Sequence, residues 1–329
     1  MKTKPILLVA GEPNSIFLEI LFKVLKKKKL KNPLILIASY KLLKLQMTKL
    51  LFKRNIRILE VEKLKSYKLT NKTINLINID YETNKAFGKI SNKSKKYIHN
   101  SFQVAANILK SGFTNKLING PVSKKNFLDK KFLGITEYLA NKFNKKKFAM
   151  LIYNPKLSVC PITTHLPLKF VSKKINKSSI CEKIFLINDF YKRYFGFKPR
   201  IAVTGLNPHC ESIENFNEEN KIIKPAINHL LKSGYKIFGP FAADTIFLKD
   251  NRNKYDVIVG MYHDQVLTPI KTLFEYDAIN ITLGLPFIRI SPDHGPNEKM
   301  LGKNLSNPLS LFKAIKFLEK IKWLKQRKV

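Results

Sequence analysis

Three of the six histidines follow short, largely apolar runs: His165 after residues 157–164, His209 after 201–208 and His263 after 257–262. If these runs are parallel strands, the three imidazoles gather at the sheet edge where open α/β folds bind ligands. One histidine after a strand is ordinarily a hydrogen-bonded structural residue. Three in the same position on three strands suggest a metal, because neutral imidazoles are common ligands of divalent transition ions. Separations of 44 and 54 residues exclude a compact finger. They suit an open catalytic site, where a metal acts as a Lewis acid on a substrate oxygen. His99, in a lysine-rich helical stretch, and His229, within a helix-like segment, have no such context.

Other polar groups that such chemistry needs lie around the histidines. Asp264 directly follows His263, and Asp244 sits in Gly239-Pro-Phe-Ala-Ala-Asp-Thr-Ile. Lys271 comes eight residues after His263, Asn280 lies in Ile279-Asn-Ile-Thr-Leu-Gly-Leu-Pro, and Arg289 follows Phe287-Ile288. A buried lysine or arginine beside a metal is costly unless an anion pairs with it, and a phosphorylated or carboxylated substrate supplies that anion. Taken alone, Arg289 reads as readily as half of a structural salt bridge. Asn119-Gly-Pro-Val-Ser-Lys124 ends another short strand in a turn whose N–H groups, with Ser123, suit an anion.

The elements that must position these groups alternate. Strand-like runs at 6–10, 34–38, 116–119 and 201–204 are interleaved with helix-like segments at 15–29, 101–110, 184–194, 225–233 and 308–324. That alternation predicts βαβ units around a mostly parallel sheet, an α/β fold. At 329 residues the chain exceeds the size at which one core stops growing, so two packed lobes are expected. No apolar stretch reaches the roughly 20 residues that span a bilayer. The run at 6–10 is too short for a secretory signal, so a cytoplasmic protein is expected. Cys160, Cys181 and Cys210 are an odd number without CxxC spacing and are expected to be free thiols.

The net charge of +38 invites a nucleic-acid reading, but only seven of the 61 basic residues are arginine. Base recognition favours arginine forks, and these lysines are dispersed in short groups. A solvated lysine-rich surface outweighs polyanion binding.

Taken together, Asn119-Gly-Pro-Val-Ser-Lys, Thr163-Thr-His-Leu-Pro-Leu, Gly205-Leu-Asn-Pro-His, Gly239-Pro-Phe-Ala-Ala-Asp-Thr, Met261-Tyr-His-Asp-Gln, Asn280-Ile-Thr-Leu-Gly-Leu-Pro-Phe-Ile-Arg and Asp293-His-Gly resemble the 4-hydroxythreonine-4-phosphate dehydrogenases of pyridoxal phosphate biosynthesis. The resemblance runs from Gly11-Glu-Pro to the last helix. It implies a two-lobed α/β/α fold like that of isocitrate and isopropylmalate dehydrogenases. The lobes would be 1–135 plus 280–329 on the cofactor side and 136–279 for metal and dimerisation. It further implies a homodimer, with the active site in the interdomain cleft completed by the second subunit.

By residue match, His165, His209 and His263 would bind a divalent metal (zinc, magnesium or cobalt). Thr136, Lys271, Asn280 and Arg289 would hold the substrate, and Lys271, Asp264 and Asp244 are the candidates for proton transfer or orientation. His294 and Gly295 would contact the NAD or NADP cofactor. The implied reaction oxidises the C3 hydroxyl of 4-phosphooxy-threonine and is followed by loss of carbon dioxide.

Some positions depart from the family pattern. Ile135 replaces the histidine of Gly-His-Thr-Glu and cannot donate a hydrogen bond, while Pro296 and Asn297 replace small residues of the cofactor loop. Two alternatives remain: a dehydrogenase of another phosphorylated hydroxy acid such as a phosphorylated threonate, and an impaired homologue that binds polyanions.

Overall fold

The structure, a computed structural model, describes residues 4–27, 29–128, 131–132, 134–211, 217–292 and 295–321. Contacts divide the chain into two compact units, Met1–Tyr138 with Pro286–Lys320, and Leu139–Leu285. In chain order the first unit contributes β1 (Ile6–Val9), β2 (Leu34–Ala38), β3 (Ile56–Ile58), β4 (Ile74–Asn78) and β5 (Lys116–Asn119). The second contributes β6 (Ala149–Tyr153), β7 (Ser158–Thr163), β8 (Ile201–Thr204), β9 (Ile237–Phe241), β10 (Val257–Tyr262) and β11 (Ile279–Leu283), after which β12 (Ile288–Pro292) returns to the first.

Within the first unit the strand order is β3-β4-β2-β1-β5-β12, every pair parallel. Its central strands, Ile-Leu-Leu-Val and Leu-Ile-Leu-Ile-Ala, are buried at every residue. Such unbroken apolar runs belong to parallel sheets covered on both faces. The helices Phe17–Lys27 and Lys95–Lys110 have the helical spacing of apolar residues expected of them and bury that side.

In the second unit the order is β11-β6-β7-β10-β8-β9. β7, β10, β8 and β9 are parallel, whereas β6 runs antiparallel to both of its neighbours. Helix Lys177–Phe195 packs on β6 and β7. Its start is fixed by a capping box: Asn176 Oδ1 accepts the Ser179 N–H at 2.9 Å, and Ser179 Oγ accepts the Asn176 N–H at 3.2 Å. Gly196, with φ 80°, ends it. Among the described residues no helix is long and apolar enough to cross a membrane. Cys160, Cys181 and Cys210 are free.

Helix His263–Phe274 follows β10 with no intervening loop and packs against both β10 and β7. That approach requires Gly260, because a Cβ there would lie 2.4 Å from Val266 Cγ1 and 2.9 Å from Gln265 Oε1. Gly260→Ala is expected to cost about 1–3 kcal/mol through overpacking, read as a lower urea midpoint at unchanged slope.

Candidate functional site

β10 lies between β7 and β8 and is parallel to both, with Tyr262 level with Thr163 and Val259 level with Val203. The chain therefore leaves all three strands at one edge. His165 stands two residues past β7, His263 directly after β10, and His209 five residues past β8. The rings of His165 and His263 are 5.5 Å apart, and His263 Nδ1 is 2.6 Å from Asp264 Oδ1. This contact directs the other ring nitrogen, Nε2, away from the carboxylate.

His209 occupies a tighter turn, Pro208–Cys210, in which His209 (φ 55°) and Cys210 (φ 62°) are both left-handed. Two successive L residues in that region are strained by about 1–2 kcal/mol each, so the surroundings must hold them. Glu219, fully buried in a π-helical turn, Glu219–Ile223, anchors the chain just ahead of them. Its Oε1 accepts the N–H groups of Leu206 (2.6 Å) and Asn207 (2.9 Å), and its Oε2 accepts Asn207 Nδ2 (3.0 Å). Burial pushes this carboxyl up, but those donors outweigh it and leave the pKa below the ordinary 4.5. Asp244 lies in the short helix Ala243–Ile246, which packs on the His209 turn.

Among the described residues no group of three or more His, Cys, Asp or Glu side chains is close enough to hold a metal ion. In kind the donors fit one well: two adjacent imidazoles and a third at the same edge are the nitrogen set that zinc or cobalt takes. Burial pushes the Cys160 thiol up to about 12.

Lys271 and Asn280 stand elsewhere in this unit. Asn280 is level with Ile152 of β6, which is level with Val159 near the start of β7. His165 is six residues further along, roughly 20 Å at the rise of a strand. Lys271 sits eight residues into the helix that begins at His263, about 12 Å back along its axis. Burial pulls the Lys271 ammonium below its usual pKa. Asn280 Oδ1 is buried without a hydrogen-bond partner among the described residues. The unit thus separates the histidine edge from Lys271 and Asn280.

In the first unit the structure brings Thr136 and Arg289 together. Arg289, on β12 and fully buried, donates Nε to Asn119 Oδ1 at 2.7 Å and Nη1 to Thr136 Oγ1 at 3.2 Å. Burial pulls the guanidinium down to about 9, partly opposed by the charge of Glu137. A cation buried in this way is stabilised by a nearby negative charge. Ile135 precedes Thr136 at the start of helix Ile135–Lys142.

Of the two residues expected to contact cofactor, His294 lies outside the described residues, and a Cβ placed on Gly295 would meet no described atom within 4 Å. The segment beyond is fastened to the first helix. Ile16 N–H reaches Pro296 O at 3.1 Å, Ser306 N–H reaches Glu19 Oε1 at 2.7 Å, and Lys23 Nζ reaches Asn304 O and Ser306 O, both at 2.8 Å. These ties fix that segment against the first helix.

Two residues escaped the reading of the sequence. Asn119 was visible within its turn motif but had no assigned role until its carboxamide met Arg289. Glu219 left a fainter signal, an acidic pair ten residues after His209 in a lysine-rich chain.

A family model described as pyridoxal phosphate biosynthetic protein PdxA matches residues 29–318. The chain is 40% identical over 314 residues, 93% of its length and 94% of the relative's, to a 4-hydroxythreonine-4-phosphate dehydrogenase of Sulfurihydrogenibium sp.. It is 32% identical over 301 residues, 90% and 92% of the two chains, to D-threonate 4-phosphate dehydrogenase of Salmonella typhimurium. A crystal structure of 4-hydroxythreonine-4-phosphate dehydrogenase from Klebsiella pneumoniae matches with TM-score 0.83 at 29% identity, covering 96% of this chain and 99% of that one. The isocitrate dehydrogenase of Methylococcus capsulatus, at 9% identity and TM-score 0.51 over 96% of this chain and 85% of that one, shares the fold.

The depressed Glu219 carboxyl gives a pH signature. Its stabilisation is complete above about pH 4.5 and is lost as pH falls through the lower folded value. Glu219→Gln is expected to be less stable than wild type at pH 7, the gap closing below pH 4.5 in urea midpoints measured against pH.

Proposed function

The chain belongs to the PdxA family of pyridoxal phosphate biosynthetic proteins, and from that premise we propose that it oxidises 4-phosphooxy-threonine with NAD or NADP. The observation that carries this reading is the histidine edge, three imidazoles at the ends of three adjacent parallel strands. His165, His209 and His263 would hold a divalent ion, zinc or cobalt suiting their nitrogens better than magnesium. Such an ion, when bound, supplies Lewis acidity toward the C3 oxygen.

The protein's own groups account for the rest. Asp264 holds His263 by one ring nitrogen, fixing the ring's orientation. Arg289 and Thr136 form an anion receptor in which phosphate or carboxylate replaces lost water. Asn280 offers a buried carboxamide oxygen to a donor such as the substrate ammonium. Lys271, with its lowered pKa, is the first candidate to accept the hydroxyl proton, with Asp264 and Asp244 as alternatives; a nicotinamide cofactor, when bound, would supply the hydride acceptor. The resulting 2-amino-3-oxo acid, 2-amino-3-oxo-4-phosphooxybutanoate, then breaks its C1–C2 bond. Carbon dioxide leaves, the electron pair moves toward the ketone oxygen, and a proton adds at C2 to give 3-amino-2-oxopropyl phosphate.

A homodimer is part of this proposal. Roughly 20 Å of strand between the histidine edge and Asn280 is too far for one small substrate to touch both within a chain. A twofold axis that brings the edge of one copy to Lys271 and Asn280 of the other removes the difficulty. A second substrate deserves parallel assay: Ile135 and the Salmonella relative both favour testing D-threonate 4-phosphate, which carries a hydroxyl in place of the amino group.

Purified protein supplied with NAD, a divalent ion and 4-phosphooxy-threonine is expected to form NADH. Chelator and His209→Ala should each abolish it, and undiminished activity in His209→Ala would reject the site; faster turnover of D-threonate 4-phosphate would reassign the substrate. Co-expressed His209→Ala and Asn280→Ala chains, each inactive alone, should regain about a quarter of wild-type activity, because half of the dimers are mixed and each of those keeps one intact site.

A further inference from the structure

Parallel pairing aligns β7, β10 and β8, but it does not by itself fix how the loops beyond their ends stand relative to one another. A buried carboxamide does. Gln265, in the first turn of helix His263–Phe274, is 8% exposed. Its Oε1 accepts the Met261 N–H at 2.7 Å and the Thr204 hydroxyl at 2.8 Å, while its Nε2 donates to Gly205 O at 2.8 Å. The Thr163 hydroxyl in turn donates to Met261 O at 2.8 Å. The Gln265 amide and the Thr163 and Thr204 hydroxyls thus join the last residue of β7, the penultimate residue of β10, the last residue of β8 and Gly205, three residues before the His209 turn.

We propose that Gln265 is a positioning residue for the metal, setting the His209 turn against His263 and, through Met261 and Thr163, against His165. The proposal rests on the ligand assignment made above. The chemistry explains why the residue is glutamine. Its partners are two donors and one acceptor, so the side chain must accept and donate at once; a carboxylate lacks the donor for Gly205 O, and an apolar isostere strands all three groups. Both Gln265 polar atoms are engaged by protein, so it acts through the histidines rather than on substrate. Gly260 leaves the space that brings Oε1 to Met261.

A purely structural brace would change stability and leave metal binding alone. The test titrates the full-length metal-free protein with Co²⁺, reading affinity by calorimetry and ligand geometry from the visible absorption spectrum. Wild type, Gln265→Met and a core control, Ile184→Val on helix Lys177–Phe195, are compared. Gln265→Met is expected to bind about 10–100-fold more weakly with a shifted spectrum, and the control to bind like wild type. Unchanged affinity and spectrum in Gln265→Met would overturn the proposal, as would an equal loss in the control. Should Gln265→Met fail to fold, Thr204→Val removes one hydroxyl of the network and is expected to weaken binding up to about tenfold; wild-type affinity there overturns it too. Wild-type protein that binds no Co²⁺ would instead reject the histidine assignment itself.

Discussion

Everything at the histidine edge depends on three adjacent strands running in one direction. Parallel pairing of β7, β10 and β8 puts their carboxyl ends side by side, so the segments that carry His165, His263 and His209 all leave the sheet at one rim. Reversing any one of them would carry its histidine to the opposite rim. Direction is enforced by connection: the long helix Lys177–Phe195 returns the chain from β7 to the start of β8, as a parallel crossover requires. The strained turn at His209, the carboxylate of Glu219 and the carboxamide of Gln265 all elaborate that arrangement.

The same principle explains why the proposed substrate residues are dispersed. β6 runs against both β7 and β11, so β11 points the same way as β7 while Asn280 lies near its beginning. The residues proposed to act together then lie at both ends of one sheet. Arg289 belongs to another environment, a fully parallel sheet whose interior holds a guanidinium through Asn119 and Thr136. Burial opposes the charge of that guanidinium, and the carboxylate of Glu137 partly offsets the cost.

Much of this was legible in the sequence. The apolar runs at 201–204 and 257–262 coincide with β8 and β10, and Gly234, with φ 79°, lies just beyond helix Lys224–Lys232, where the pattern put its end. Thr136 and Arg289, expected to share a ligand, share a hydrogen bond. What stayed hidden was direction and depth. The Ala-Met-Leu-Ile-Tyr of β6 looks like any buried strand, and nothing in its side chains says which way it runs. Gln265 is likewise silent, since a lone glutamine after His-Asp reads as a helix surface until Thr204, 61 residues earlier at the end of β8, hydrogen-bonds it.

The lysine excess also takes on a different meaning at close range. Lys23, Lys116, Lys183 and Lys316 each extend a long arm to a main-chain carbonyl, reaching Asn304 and Ser306, Leu318, Phe148 and Lys29 respectively. These ammonium groups are tie-bars between elements, and the stems that carry them cover apolar surface on the way. Acylation, which removes both the charge and most of the donors, would fall very unequally on the 54 lysines of this chain. At Lys23 it would remove the two ties, to Asn304 O and Ser306 O, that this side chain makes between the first helix and the segment that follows β12.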